Sequence, residues 1–209
     1  QNKPAETADS TNAATDSVVA ESPLDNAVVR AIMDRRSVRK YKPEPVPKEM
    51  LDVILHCGIN APNAMNEQRW EVRVTNSKAF IDGVTKVFVE SAENDERVKK
   101  MVENPDFHNM FRNAPTVIFV AGKADEKSSP IDCGMLGENI MLAAQSMGLG
   151  TCCLGSAAGF LNSNPGAANY LKQLAFSDGY ELLYAIAIGY PDESPEAKPR
   201  DASKIRYIE

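Results

Sequence analysis

Two continuous apolar runs do most to limit how this chain can fold. Residues 114–121 (APTVIFVA) and 180–188 (YELLYAIAI) carry one charged side chain between them. Runs of this length and composition are typical of central strands that are covered on both faces. We therefore expect a buried sheet with helices packed against it.

The segments around these runs favour helices and shorter strands. Residues 131–147 are apolar over most of a helical circumference, which predicts burial by the core and by another subunit. The order of elements lacks a regular βαβ rhythm, so we expect an α+β sandwich with a mixed central sheet flanked by helices. Further helices are predicted over residues 24–33, after residue 47, over much of 77–112 and from residue 164, with strands at 70–74 and 151–154.

The chain of 209 residues predicts one folded domain, over residues 24–209, preceded by a polar leader. Residues 1–23 are small and polar without aromatic side chains, as in a disordered leader or tether. Such a leader favours an exported or lipoprotein-tethered protein of the bacterial cell envelope, with a cytoplasmic location as the alternative. No apolar run is long enough to span a membrane.

The distribution of charge points to a compact anionic ligand. The formal net charge is -6, which argues against nucleic-acid binding, yet cations are concentrated in two clusters, residues 35–39 (RRSVR) and 198–200 (KPR). Arginine forks and a serine hydroxyl suit the oxygens of a phosphate monoester. A single cluster would more simply be a solvated helix end, so the hypothesis requires a fold that brings the two clusters together.

The cysteines and histidines give no sign of a metal site. Cys57, Cys133, Cys152 and Cys153 lack zinc-site spacing, and their apolar surroundings predict buried free thiols. We therefore expect no metal. Residues 61–70 (APNAMNEQRW) are open to two interpretations: an ordinary connection, or a polar loop whose amides bind the edge of a flat heterocycle.

Taken in order, five motifs resemble the FMN-dependent nitroreductase family, which is NAD(P)H:flavin oxidoreductase-like. They are RRSVRKY, APNAMNEQRW, NAPTVIFVAG, DCGMLGENIMLAAQSMGLGTCCLGS and IGYPDESPEAKPR, and the resemblance runs from about residue 24 to residue 200. The resemblance implies an intertwined homodimer with one FMN at each subunit interface. It also implies NADH or NADPH as the transient electron donor.

The resemblance assigns FMN-binding roles residue by residue. The first basic cluster would hold the phosphate and ribityl chain, with its last arginine towards the N1–O2 edge of the ring, and the second would close on the phosphate. A loop of the partner subunit would lie against the flavin, and a backbone amide near the end of the fourth motif would face N5. These residues are, in the same order, Arg35, Arg36, Ser37 and Arg39; Lys198 and Arg200; Pro62, Asn63, Ala64 and Asn66; Leu154 and Gly155.

Three positions depart from the family pattern. Asn63 replaces serine, Arg69 replaces a proline and adds a charge near the cleft, and Cys153 replaces an aromatic side chain. Residues 77–112 correspond to a variable active-site cover. His108, Met110 and Phe111 are candidates to line it, with ordinary packing as the alternative.

The resemblance implies chemistry at N5 of FMN, and we assign no catalytic side chain. The predicted reaction is ping-pong transfer of electrons from NAD(P)H to nitroaromatic, quinone or related acceptors. Two alternatives stay open: a flavoenzyme with another reaction, such as a dehalogenase or metabolite oxidase, and an FMN-binding module without catalysis.

Overall fold

The computed structural model describes residues 22–208. The predicted leader therefore lies outside the described residues, except for its last two positions. Within residues 22–208, the helices are too short or too polar to cross a membrane.

The two apolar runs are strands, as predicted. The first of the three α-helices between them, Ser129–Ser146, is the longest helix described. The elements in chain order are α1 (Ala27–Asp34), α2 (Lys48–Ile59), β1 (Trp70–Thr75), α3 (Lys78–Glu90), α4 (Glu96–Val102), β2 (Thr116–Lys123), α5 (Ser129–Ser146), β3 (Gly150–Leu154), α6 (Gly155–Ser163), α7 (Ala168–Gln173) and β4 (Tyr180–Gly189). Helix α6 was not predicted, because its sequence GSAAGFLNS has two glycines and no charged side chain to mark a helical face.

The four strands form one sheet in the order β1-β2-β4-β3. The predicted α+β sandwich is confirmed, but its strands are not mixed: every neighbouring pair is antiparallel. Parallel pairing within residues 22–208 is confined to one bridge, between Ser37 and Thr151. The sequence could not supply strand direction, since an apolar run has the same pattern in either sense.

Alternate side chains of the central strands enter two separate cores. Phe119 of β2 packs with Val84 of α3 in one core, and Ile118 packs with Leu136 of α5 in the other. All four side chains are fully buried. Helices on both faces therefore cover β2 and β4, which explains why these two sequences are apolar without interruption.

Two terminal segments leave apolar side chains uncovered. Helix α1 begins at its cap Asn26, whose Oδ1 accepts the N–H groups of Val28 and Val29 at 3.0 and 3.1 Å. Val28 is nevertheless 66% exposed and Met33 69% exposed. The C-terminal residues Ile205, Tyr207 and Ile208 are at least 70% exposed. The amphipathic helix predicted over residues 24–33 is confirmed, while much of its apolar face is exposed.

Candidate functional site

The first basic cluster lies on an extended segment that joins two strand ends. Ser37 forms a parallel bridge with Thr151 of β3, and Tyr41 forms an antiparallel bridge with Pro191, just after β4. The Val38 N–H donates to the Thr151 carbonyl at 2.9 Å. The backbone of the cluster is therefore fixed by the sheet.

Side chains alternate along this segment between the core and the α5 side. Val38 is buried and packs so closely on Gly150 that a Cβ at Gly150 would lie 2.8 Å from the Val38 Cβ. Arg35 lies on the other side, with its Nε 3.8 Å from Glu138 Oε1 of α5. Val38 thus anchors the segment while Arg35 and Ser37 face away from that core.

Arg36 and Arg39 make different contacts from Arg35. The Arg36 Nη1 donates to the carbonyls of Met33 and Arg35 at 2.7 and 2.9 Å, so this cation caps the C-terminal end of α1. The Arg39 Nη1 donates to the Ser37 carbonyl at 2.9 Å, and the Arg39 N–H donates to Glu193. The four predicted residues of this cluster therefore occupy one segment but are held in different ways.

The segment that carries the second basic cluster is attached to the fold near its start, at Asp192. The Asp192 N–H donates to the Lys40 carbonyl at 2.9 Å, which brings the start of the C-terminal segment beside the first cluster. Lys198 and Arg200 are exposed, and the Arg200 Nη1 donates to the Lys198 carbonyl at 3.2 Å. Within residues 22–208, these two side chains form no hydrogen bond or ion pair with the first cluster.

The loop after α2 has a strained backbone that is tied to α5. The Ala64 N–H donates to Asp132 Oδ1 at 3.2 Å, and Asp132 is only 3% exposed. The loop contains three of the six non-glycine residues with positive φ among residues 22–208: Met65, Asn66 and Gln68, with φ of 53°, 55° and 49°. Such strain is concentrated at functional sites, which favours the ligand-binding interpretation of this loop over an ordinary connection.

Remaining loop contacts involve Asn63 and Arg69. The Gln68 N–H donates to Asn63 Oδ1 at 2.9 Å, so the replacement of serine by Asn63 supports the turn. Arg69 pairs with Glu67 and, at 2.8 Å, with Glu126. The charge of Arg69 is therefore paired with carboxylates, and the pair with Glu126 connects the loop to the segment before α5.

Helix α5 separates the loop from the first basic cluster within one chain. Asp132, which holds the loop, and Glu138, which contacts Arg35, are six residues apart on this helix. That separation corresponds to about 9 Å along the axis and about 120° around it. Pro62–Asn66 and Arg35–Arg39 consequently face different directions in a single chain.

The junction of β3 and α6 presents backbone N–H groups. Leu154 is 5% exposed and ends β3, while Gly155 begins α6 and is exposed. No side chain caps this helix, and a Cβ at Gly155 would meet nothing within 4 Å. Its first-turn amides are therefore free to donate to a ligand.

The cysteine pair before this junction divides between core and surface. Cys152 is buried and Cys153 exposed, as expected for neighbours on a strand. The prediction of four buried thiols is wrong for Cys57 and Cys153, because apolar neighbours in sequence do not share a face with them. Desolvation and then Cys152 raise the pKa of the Cys153 thiol, while Arg35 opposes the shift. The Arg35 guanidinium therefore acts electrostatically on the Cys153 thiol.

The candidates for an active-site cover lie in two environments. Met110 and Phe111 are buried, and Phe111 makes an edge contact with Phe119 at 5.7 Å, so packing in the core is confirmed for both. His108 is exposed beside a cavity of about 660 Å³ that is also lined by Tyr41. The cavity lining includes none of the predicted FMN-binding residues.

The donors gathered at the first cluster are suited to phosphate oxygens. The Arg35 guanidinium is held through its Nε side, and the Ser37 hydroxyl has no intramolecular hydrogen bond among the described residues. Both groups can donate to an anion.

Three positioning residues were missed by sequence reasoning: Asp132, Glu138 and Glu193. Of these three, only Asp132 could have been found from the sequence, because a carboxylate in an otherwise apolar helix indicates a buried polar contact.

Comparisons with known proteins find relatives in both sequence and structure. A protein of Methanothermobacter thermautotrophicus, provisionally named NADH dehydrogenase/NAD(P)H nitroreductase, is 32% identical over 173 residues, covering 80% of this chain and 79% of that protein. The NADPH-flavin oxidoreductase of Vibrio harveyi is 29% identical over 84% of this chain and 70% of its own. A crystal structure of a nitroreductase with bound FMN from Desulfitobacterium hafniense superposes with a TM-score of 0.80 at 27% identity, over 88% of this chain and 100% of that one. The model of the nitroreductase family matches residues 32–190, and the chain therefore belongs to the nitroreductase family.

Proposed function

We propose that this chain is an FMN-dependent oxidoreductase that takes electrons from NADH or NADPH and passes them to nitroaromatic, quinone or related acceptors. The observation that carries the proposal is the placement of Arg35 and Ser37 on a segment that is bridged to β3, the strand that ends at the uncapped β3–α6 junction. Membership of the nitroreductase family, with an FMN-bound structure among its relatives, supports the same cofactor.

The first basic cluster and the C-terminal cluster together form the proposed phosphate site. Arg35 and Ser37 donate to the phosphate, and Lys198 and Arg200 close over it. Arg36 belongs to the set by resemblance, although its guanidinium caps α1 in this structure. Because phosphate oxygens only accept hydrogen bonds, a site built of arginine, lysine and serine donors matches them.

The ring is proposed to lie between the β3–α6 junction and the loop Pro62–Asn66. A backbone N–H at Leu154–Gly155 would hold the N5 side of the ring, and Arg39 would supply a cation at the N1–O2 edge, where it would stabilise negative charge. FMN, when bound, supplies the transfer of hydride or electrons. The side chains of this chain supply position and charge, and donor and acceptor use the same cleft in turn.

We also infer a homodimer in which each subunit contributes its Pro62–Asn66 loop to the other's FMN site. Ala64 contacts α5 at Asp132 and Arg35 contacts it at Glu138, about 120° around the helix, which supports a site shared between two chains. The uncovered apolar side chains of α1 and of the C-terminal segment provide surface for a partner. Light scattering tests this inference, and a stable FMN-loaded monomer would contradict it.

The composition of residues 1–23 supports a tether that holds the domain at the bacterial cell envelope. Fractionation of the source cells, followed by immunoblotting of soluble and envelope fractions, tests this proposal. Recovery in the cytoplasmic fraction alone would contradict it.

Steady-state turnover tests the proposed reaction. The FMN-loaded protein should oxidise NADH or NADPH in the presence of menadione or a nitroaromatic compound. Double-reciprocal plots of initial rate against donor concentration, at several fixed acceptor concentrations, should give parallel lines. Bound FMN without turnover would favour a non-catalytic module. Turnover of a halogenated compound alone would favour the dehalogenase alternative. Oxidation of a reduced metabolite alone would favour the oxidase alternative.

A further inference from the structure

The hydroxyl of Thr151 is a buried polar group without a partner. Thr151 is 2% exposed, and no group in residues 22–208 hydrogen-bonds its Oγ1. An unsatisfied buried hydroxyl destabilises a folded protein, so its presence at this position calls for a physical reason.

The position of Thr151 links it to Ser37. The two residues form a parallel bridge, so their side chains lie on the same side of neighbouring strands, which are spaced about 4.8 Å apart. Ser37 is half-buried, and its hydroxyl also has no intramolecular hydrogen bond among the described residues. Two hydroxyls without partners therefore lie on neighbouring strands. The Thr151 hydroxyl is covered, and the Ser37 hydroxyl is accessible to a ligand.

We propose that Thr151 positions Ser37 for the phosphate of FMN, an inference that rests on the proposed function. A phosphate oxygen can only accept, so Ser37 must direct its own O–H outwards. The lone pairs of the Ser37 Oγ then accept a hydrogen bond from a donor on the side away from the phosphate. The two hydroxyls are not hydrogen-bonded to each other in this structure. With phosphate bound, the Thr151 O–H donates to the Ser37 Oγ, and this donation fixes the direction of the Ser37 proton.

Thr151 is a positioning residue, because its oxygen is too deeply covered to contact the cofactor itself. A change that removes its hydroxyl should therefore affect phosphate recognition selectively. Riboflavin, which has the same ring and ribityl chain without the phosphate, provides the matched ligand.

The test compares Thr151→Val, which keeps the side-chain shape, with Thr151→Ser, which keeps the hydroxyl. Dissociation constants for FMN and riboflavin are measured by flavin fluorescence on the intact chain, and the apo Tm is measured for each variant. Thr151→Val should weaken FMN binding about three- to tenfold, a typical effect of one hydrogen bond, with riboflavin affinity unchanged. Its apo Tm should stay equal or rise, and Thr151→Ser should bind FMN like the wild type.

A double variant completes the argument. In a Ser37→Ala background, Thr151→Val should cause no further loss of FMN affinity. Equal weakening of FMN and riboflavin, a lowered apo Tm with an unchanged FMN/riboflavin ratio, or unchanged FMN affinity would each overturn the role of Thr151 while leaving FMN binding intact. Failure of the wild type to bind FMN would instead overturn the proposed function.

Discussion

The two basic clusters of this chain differ in how the fold holds them. Three backbone hydrogen bonds of 2.9 Å attach residues 38–42 to β3 and to the segment after β4, and Val38 is buried. Lys198 and Arg200 are exposed and linked to each other by a single hydrogen bond. The first cluster is therefore preorganised for an anion, while ordering of the second must be offset by binding energy.

The largest effect should come from disturbing the anchor of the first cluster. A Cβ at Gly150 would lie 2.8 Å from the Val38 Cβ, so Gly150→Ala should displace the segment that carries Arg35 and Ser37. We expect FMN affinity to fall by more than about 100-fold and stability by about 1–3 kcal/mol. Flavin fluorescence and thermal unfolding measure the two quantities.

The matched control is Gly159→Ala on α6, where an added Cβ meets nothing within 4 Å. This variant should retain wild-type FMN affinity. If Gly150→Ala bound FMN as tightly as Gly159→Ala, the anchoring role of Val38 would be wrong.

The next effect should separate two adjacent arginines. Arg35→Ala should weaken FMN binding about 10- to 100-fold, as expected for the loss of charge-assisted hydrogen bonds. Arg36→Ala should affect FMN less and instead lower stability by about 0.3–1 kcal/mol, because Arg36 caps α1. Equal losses of FMN affinity for both variants would show that Arg36 leaves the cap to bind phosphate.

A smaller, salt-dependent effect is expected at the second cluster. Arg200→Ala should weaken FMN binding about three- to tenfold at low ionic strength, because this exposed cation is easily screened. The difference from wild type should largely disappear at about 1 M salt, where the Debye length is about 3 Å, while the effect of Arg35→Ala persists. Titrations at the two salt concentrations compare the clusters directly, and a salt-independent loss at Arg200 would contradict the account.

The smallest effect concerns Cys153, which shares the face of Arg35. Desolvation and Cys152 raise the pKa of the Cys153 thiol, so its alkylation by iodoacetamide should accelerate as pH increases and more thiolate forms. Bound FMN should slow this labelling several-fold, whereas exposed Cys57 serves as an internal reference. Peptide mass spectrometry measures both rates, and equal labelling of Cys153 with and without FMN would place the ring elsewhere.

Sequence patterns predicted the core and the order of the motifs more completely than the geometry of the site. The runs around Phe119 and Ala185 identify buried strands, because continuous apolar sequence requires cover on both faces. The local motif around Arg35 and Ser37 correctly placed both residues on one segment. Local patterns of this kind depend only on residues that are close in sequence.

Long-range pairings escaped the sequence because they depend on tertiary contacts. The hydrogen bond from Ala64 to Asp132 and the pairing of Arg35 with Glu138 join residues distant in sequence, and no local pattern encodes such partners. The same is true of strand direction and of the bridge between Ser37 and Thr151. The different roles of Arg35 and Arg36 also became visible only through their contacts.

Anaerobic reduction of the FMN-loaded protein tests the central claim most directly. The protein should bind one FMN per subunit, and NADH or NADPH should bleach the visible absorbance of the bound flavin, which a quinone then restores. Absence of saturable FMN binding, or a bound flavin that stays oxidised with both nucleotides, would contradict the account.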